Sequence, residues 1–115
     1  MGIRPMSNFP FRRLSKYRNR KVTIDGIIFH SQKEAQYYCG LKLKIKSGLI
    51  KSFDRQLPFV VVINDKKCFT YYSDFVVIDL DGNQTVIDVK GFRTPVYKLK
   101  KKIVEAYFGI EILEV

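Results

Sequence analysis

Apolar and polar residues along the chain switch between a spacing of two and a spacing of three to four, and the switches divide it into short strands and two helices. The run from Lys21 to Phe29 has brief apolar stretches on either side of Asp25-Gly26, which predicts a small hairpin. Ser31 and Glu34 then stand three apart, as in a capping box, and open a helix that runs to about Ser47 and stops at Gly48. Positions 34, 38, 41 and 45 share one side of that helix, so Glu34 lines up with Tyr38, Leu41 and Ile45 on the face expected to meet a sheet.

The unbroken apolar run 57–63 predicts a strand covered on both faces, turned by residues 64–67 into an antiparallel partner over 68–80. Asp81-Gly82 turns the chain again into a strand over 85–89. Thr94-Pro95 supplies a cap and a first helical position for a helix to about Phe108, ended by Gly109, with Val96, Leu99, Ile103, Ala106 and Tyr107 as its apolar stripe. The last segment, 110–115, predicts a strand that returns parallel to the 85–89 strand through the helix. The order is helix, three antiparallel strands, helix, strand: an α/β fold with a mixed sheet flanked by helices.

One stretch conflicts with its own pattern. Residues 71–91 place Asp74, Asp88 and Lys90 in strands whose other residues ask for burial. A three-residue loop of Leu80, Asp81 and Gly82, with Gly82 left-handed, pairs Asp79 with Asn83 and therefore Asp74 with Asp88. Like charges facing each other on a sheet destabilise it, so a cation between them is the natural remedy. Mg²⁺ suits such a site, because it is held by one or two carboxylates with phosphate oxygens and water; Mn²⁺ would substitute. Lys90, on the face of Asp88, would stabilise developing negative charge.

Asp74, thirteen intervening residues and then Asp88-Val89-Lys90 resemble the metal-binding signature of the PD-(D/E)XK nucleases, with Ser73 standing where that motif has proline. The resemblance covers about 17–115, is nearest to small phage and prophage nucleases, and is more distant to Holliday junction resolvases. It implies a restriction-endonuclease-like core of helix-β-β-β-helix-β. It also implies catalytic roles for Asp74, Asp88, Lys90 and Glu34, and a metal shell of Asp74, Asp88, the Val89 carbonyl and Glu34. Without the resemblance, Glu34 needs no role beyond the helix cap. Gln56 would support the site through a phosphate or an ordered water, and Gly91 would let a phosphate approach the backbone.

Charge points to a polyanion. The chain has 21 basic against 11 acidic residues in 115, a formal charge of +10. Nucleic acid is favoured, since cations that neutralise phosphates release counterions, whereas a membrane surface would also want an apolar anchor; no apolar run approaches a spanning length. Lys98, Lys100, Lys101 and Lys102, together with Arg12, Arg13, Arg18 and Arg20 in a basic, flexible arm over 1–16 and its continuation, are the expected phosphate contacts. The domain is expected to occupy 17–115 and to work in the cytoplasm. Cys39 and Cys68 are expected to be reduced and semi-buried, and with the lone His30 they do not make a zinc site.

Two functions follow. The first is a Mg²⁺-dependent endodeoxyribonuclease, acting on DNA recognised by shape, such as a branched junction, with a homodimer suited to paired cuts. The alternative is a basic nucleic-acid-binding module without chemistry, which accounts for the charge but leaves the facing aspartates unexplained.

Overall fold

A computed structural model describes residues 21–115, so the basic arm over 1–16 and Arg12, Arg13, Arg18 and Arg20 lie outside the described residues. The chain divides into two compact units, Met1–Cys39 and Gly40–Val115, and it is mixed α/β.

In the first unit, β1 (Val22–Ile24) and β2 (Ile27–Phe29) form an antiparallel hairpin. Asp25 and Gly26 take φ of 54° and 76°, the left-handed pair that a two-residue turn requires and that Asp-Gly tolerates best. The Tyr38 hydroxyl donates to Asp25 Oδ2 at 2.9 Å and the Tyr38 ring packs 5.0 Å from that of Phe29, tying the turn to the helix that follows. Helix α1 (Gln32–Lys46) starts where Ser31 Oγ accepts from the Glu34 amide at 3.1 Å. It ends at Gly48, φ 74°, with Leu49 N donating to Lys44 O and Gly48 N to Ile45 O, the paired bonds of a Schellman cap. Ala35, Tyr38 and Leu41 are its buried residues. Ile45, expected on that face, is exposed.

The second unit holds a four-stranded sheet in the order β3 (Ser52–Arg55), β6 (Phe75–Ile78), β7 (Gln84–Asp88), β8 (Ile112–Glu114), and a hairpin of β4 (Pro58–Ile63) with β5 (Lys66–Tyr72). β3, β6 and β7 are antiparallel neighbours, and β8 joins β7 in parallel. The strand β3 was not expected, since Ser-Phe-Asp-Arg has no apolar period, and the single strand expected over 68–80 is broken at Ser73-Asp74. Both differences have one cause. Arg55 pairs with Phe75 and Pro58 with Tyr72, so the register is the same on either side of the break. Gln56, at φ 53°, bends the ladder, while Gln56 N to Asp74 O and Ser73 N to Leu57 O carry the pairing across it. One long hairpin is thus folded in two.

Helix α2 (Pro95–Phe108) is capped by Thr94 Oγ1, which accepts from Tyr97 N at 3.0 Å, and closed by Gly109 at φ 65°. The core gathers Val61, Tyr71, Val76, Val86, Val104 and Ile112. The stripe expected on α2 is out of phase: Val96, Leu99 and Tyr107 are exposed, whereas Val104 is buried and Tyr97 packs against the core. Lysine stems explain the shift. Lys100 places its ammonium 5.5 Å from the Phe69 ring centre and Lys101 reaches Glu105 and Glu114, so two residues counted as solvent-facing lie partly inside. The run 57–63 is also less covered than expected, with Val61 buried but Val60, Val62 and Ile63 exposed, because α2 covers only one face of the hairpin. Cys39 and Cys68 are free thiols as expected but are exposed, not semi-buried, Cys68 beside the open hairpin tip.

Candidate active site

The hairpin joining β6 and β7 closes as its turn chemistry requires. Asp79 N donates to Asn83 O at 2.9 Å, Gly82 takes φ 89°, and Asp79 Oδ1 accepts from the amides of Asp81 and Asn83. Phe75 pairs with Ile87, and one step further along the same register Asp74 stands opposite Asp88. Side chains alternate, so Asp74, Val76, Val86, Asp88 and Lys90 share the sheet face that packs beneath α2, while Phe75 and Ile87 take the other.

Asp88 is 1% exposed, a carboxylate removed from water. Its Oδ2 accepts from the Tyr71 hydroxyl, and its Oδ1 has no hydrogen-bond partner. Leaving a buried polar oxygen unsatisfied costs about 1–3 kcal/mol or more. Asp74 Oδ2 accepts from the Val89 amide at 2.8 Å, which fixes its carboxylate against the strand of Asp88. Burial first, then the bond to and charge of Asp88, with Asp74 adding to them, push the Tyr71 hydroxyl far above its ordinary pKa. It therefore stays a proton donor at every pH at which the protein would work. Beneath the bend, Ser73 is fully buried, and its hydroxyl donates to the Leu57 carbonyl at 3.2 Å.

Three further side chains complete the arrangement, and none was singled out from the sequence. Glu114 pairs with Asp88 across the parallel strands. The Tyr97 hydroxyl donates to Glu114 Oε2 at 2.8 Å, Arg93 Nε to Oε1 at 2.7 Å, and Lys101 lies 3.8 Å away. Burial opposes the charged form of Glu114, but Tyr97, Lys101 and Arg93 outweigh it and hold the carboxyl below its usual range. Burial, the bond to Glu114, and the charge and hydrogen-bonding reach of Asp88 raise Tyr97 well above the ordinary tyrosine value. Lys90 rests its ammonium 4.5 Å from the centre of the Tyr97 ring. Glu114 thus fixes Tyr97, and Tyr97 seats Lys90. The available signal was parity: Glu114 lies two residues from the buried Ile112, on its face of the strand.

The remaining predicted residues are less tightly bound to this arrangement. Glu34 belongs to the first unit, where its amide completes the Ser31 cap. Gln56 is exposed at the bend. A Cβ on Gly91 would meet no protein atom within 4 Å, so no close approach of the chain itself requires glycine there. Lys98 and Lys102 are exposed on α2, whereas Lys100 and Lys101 have the partners given above. His30 is exposed.

No group of three or more His, Cys, Asp or Glu side chains able to hold a metal ion occurs among the described residues. The part of the expected shell found together is Asp74, Asp88 and Val89. Two carboxylates are the donor type taken by a Mg²⁺ that keeps waters and substrate oxygens.

No helix among the described residues is long and apolar enough to cross a membrane. Comparison with curated proteins and with solved structures finds no match. The model of the family described as "Protein of unknown function (DUF1064)" matches residues 14–112, and the chain belongs to that family.

Proposed function

We propose that the protein is a divalent-metal-dependent DNA endonuclease with a restriction-endonuclease-like core, resembling the PD-(D/E)XK nucleases. The observation that carries this reading is the buried, partly unsatisfied Asp88 standing opposite Asp74 in register, with Lys90 two residues on. A structural acid would be cheaper as Asn or Ser. The sheet order supports the reading as well, because antiparallel β3, β6 and β7 are followed by a helix and a parallel strand.

A bound Mg²⁺ would supply Lewis acidity toward the scissile phosphate and a water. Asp74 and Asp88 would hold that ion. Tyr71 keeps the Asp88 carboxylate aimed by occupying Oδ2, and the Val89 amide does the same for Asp74. Lys90, lifted from the Tyr97 ring, would meet charge developing on the phosphate. Lys98 and Lys102 would hold the DNA backbone without reading sequence, which favours a substrate known by its shape.

The test is incubation of the protein with a labelled four-way junction and the matching linear duplex, in Mg²⁺ or Mn²⁺ and in EDTA, with Asp88→Ala and Lys90→Ala in parallel. Metal-dependent cleavage lost in both variants is the expected result. Tight binding with no cleavage in any metal would select the non-catalytic binding module instead. Mg²⁺ should also raise the melting temperature of the wild type and not that of Asp88→Ala.

A further inference from the structure

We infer that Phe92 is a stacking platform for an unpaired nucleobase, so that the protein prefers DNA containing a locally unstacked base over fully paired duplex. The inference rests on the reading of Asp74, Asp88 and Lys90 as a phosphodiester site.

Phe92 is 81% exposed, more than any other large apolar side chain among the described residues. It lies in the irregular connection between β7 and α2, two residues after Lys90 and next to Arg93. On the helix that follows, Val96 and Leu99 are 61% and 60% exposed and three apart, so they lie on one side of α2. These are exposed apolar groups within eight residues of chain, and the charges around them in the sequence specify what covers them. Between Val89 and Val104 the chain carries Lys90, Arg93, Lys98, Lys100, Lys101 and Lys102 and no acid. A second copy of the chain would bring the same six cations against them. Nucleic acid brings both complements at once, phosphates for Lys98 and Lys102 and a flat π face for the Phe92 ring. An anionic bilayer would also satisfy cations and apolar groups together. The position two residues after Lys90 and four after Asp88 in the chain favours DNA, since a base held there keeps its own phosphates near the carboxylates. A phenyl ring has few torsions to freeze, which suits it to such a contact.

The test uses the full chain in EDTA, so that binding is read without cleavage. Fluorescence polarisation would compare a short paired duplex with the same duplex carrying a central unpaired bubble, for the wild type, Phe92→Ala and Phe92→Trp. A fluorescent adenine analogue in the bubble would report stacking. The wild type should prefer the bubble by about tenfold, within the roughly 5- to 150-fold that stacking one base is worth. Phe92→Ala should lose that preference and leave the analogue unquenched, whereas Phe92→Trp should retain both. Equal weakening of the two DNAs by Phe92→Ala would overturn the inference. So would a wild type with no preference, or an effect of Phe92→Ala confined to vesicles of phosphatidylserine and phosphatidylcholine. Cleavage in Mg²⁺ is scored separately. A Phe92-dependent bubble preference without cleavage would sink the nuclease reading and leave the stacking site standing; cleavage without the preference would do the reverse.

Discussion

The two arms of the folded hairpin use one register to opposite ends. On the sheet side of the Gln56 bend, Phe75, Val76 and Val77 are buried, and the strand β7 paired with that arm carries the buried Asp88. On the tip side, Val60, Val62, Ile63 and Tyr72 are exposed although the run 57–63 is the most apolar in the chain. Burial therefore follows what packs over a strand, and local hydrophobicity does not decide it. α2 lies over one face of the tip arm, where Phe108 meets Phe59 at 5.3 Å and the Tyr107 hydroxyl donates to Val62 O at 2.8 Å. The sheet arm is covered well enough to bury even a charge. A buried polar group in the better-covered sheet costs stability, and apolar groups left outside in the tip arm gain little.

The sharpest way to break this contrast is Asp88→Asn. Cleavage should fall by at least about 10³-fold, several kcal/mol at 1.36 kcal/mol per tenfold, while the melting temperature holds or rises, because an unsatisfied buried charge has gone. A melting temperature that falls along with activity would make Asp88 a structural residue. Next in size is Tyr71→Phe, which strips the donor from Asp88 Oδ2 and should cost about 1.5–3 kcal/mol in denaturant unfolding. Much of that loss should return in the Tyr71→Phe/Asp88→Asn double variant, and additive losses would show that the two do not act as a pair. In the tip arm, Val61→Ala should cost about 2 kcal/mol by opening a cavity, whereas Val60→Thr should stay within about 0.5 kcal/mol. Equal costs would erase the distinction between its two faces.

The smallest effect is on pH. The folded pKa of Glu114 lies below its ordinary 4.5, so its ion cluster contributes stability above that value and loses it as pH falls through the lowered pKa. Acid unfolding of Glu114→Gln should therefore be shallower below about pH 4.5 than that of the wild type. An unchanged acid limb would show that Arg93, Lys101 and Tyr97 do not hold the carboxylate in solution.

The turns were legible in the sequence because their chemistry is local. Asp25-Gly26, Asn64-Asp65 and Asp81-Gly82 demand left-handed backbone, and once the last of these is set, Asp74 must face Asp88. Both helix caps follow in the same way from Ser31, Gly48, Thr94 and Gly109. The break at Ser73-Asp74 was hidden because Gln56 adopts a conformation that its residue type does not announce. The phase of α2 was hidden by lysines whose stems pack as apolar groups, and by a tyrosine that turns inward to reach an acid on another strand. Tyr71, Tyr97 and Glu114 come to the site from three elements, and no local spacing joins them.

The constant register across the bend also limits how this hairpin can change in length. An insertion at Asn64-Asp65 lengthens an exposed turn beside a step where the pairing already shifts by one residue, between Val61 and Val62. A single-residue deletion at Gln56 or Leu57 would instead reverse the tip arm, turning Val61 and Phe59 to solvent and Val60 and Val62 toward α2, while the sheet arm kept its pairing. Length variation among descendants of this gene should therefore collect at the tip, and the number of residues from Gln56 to Val61 should change only in pairs that restore the alternation.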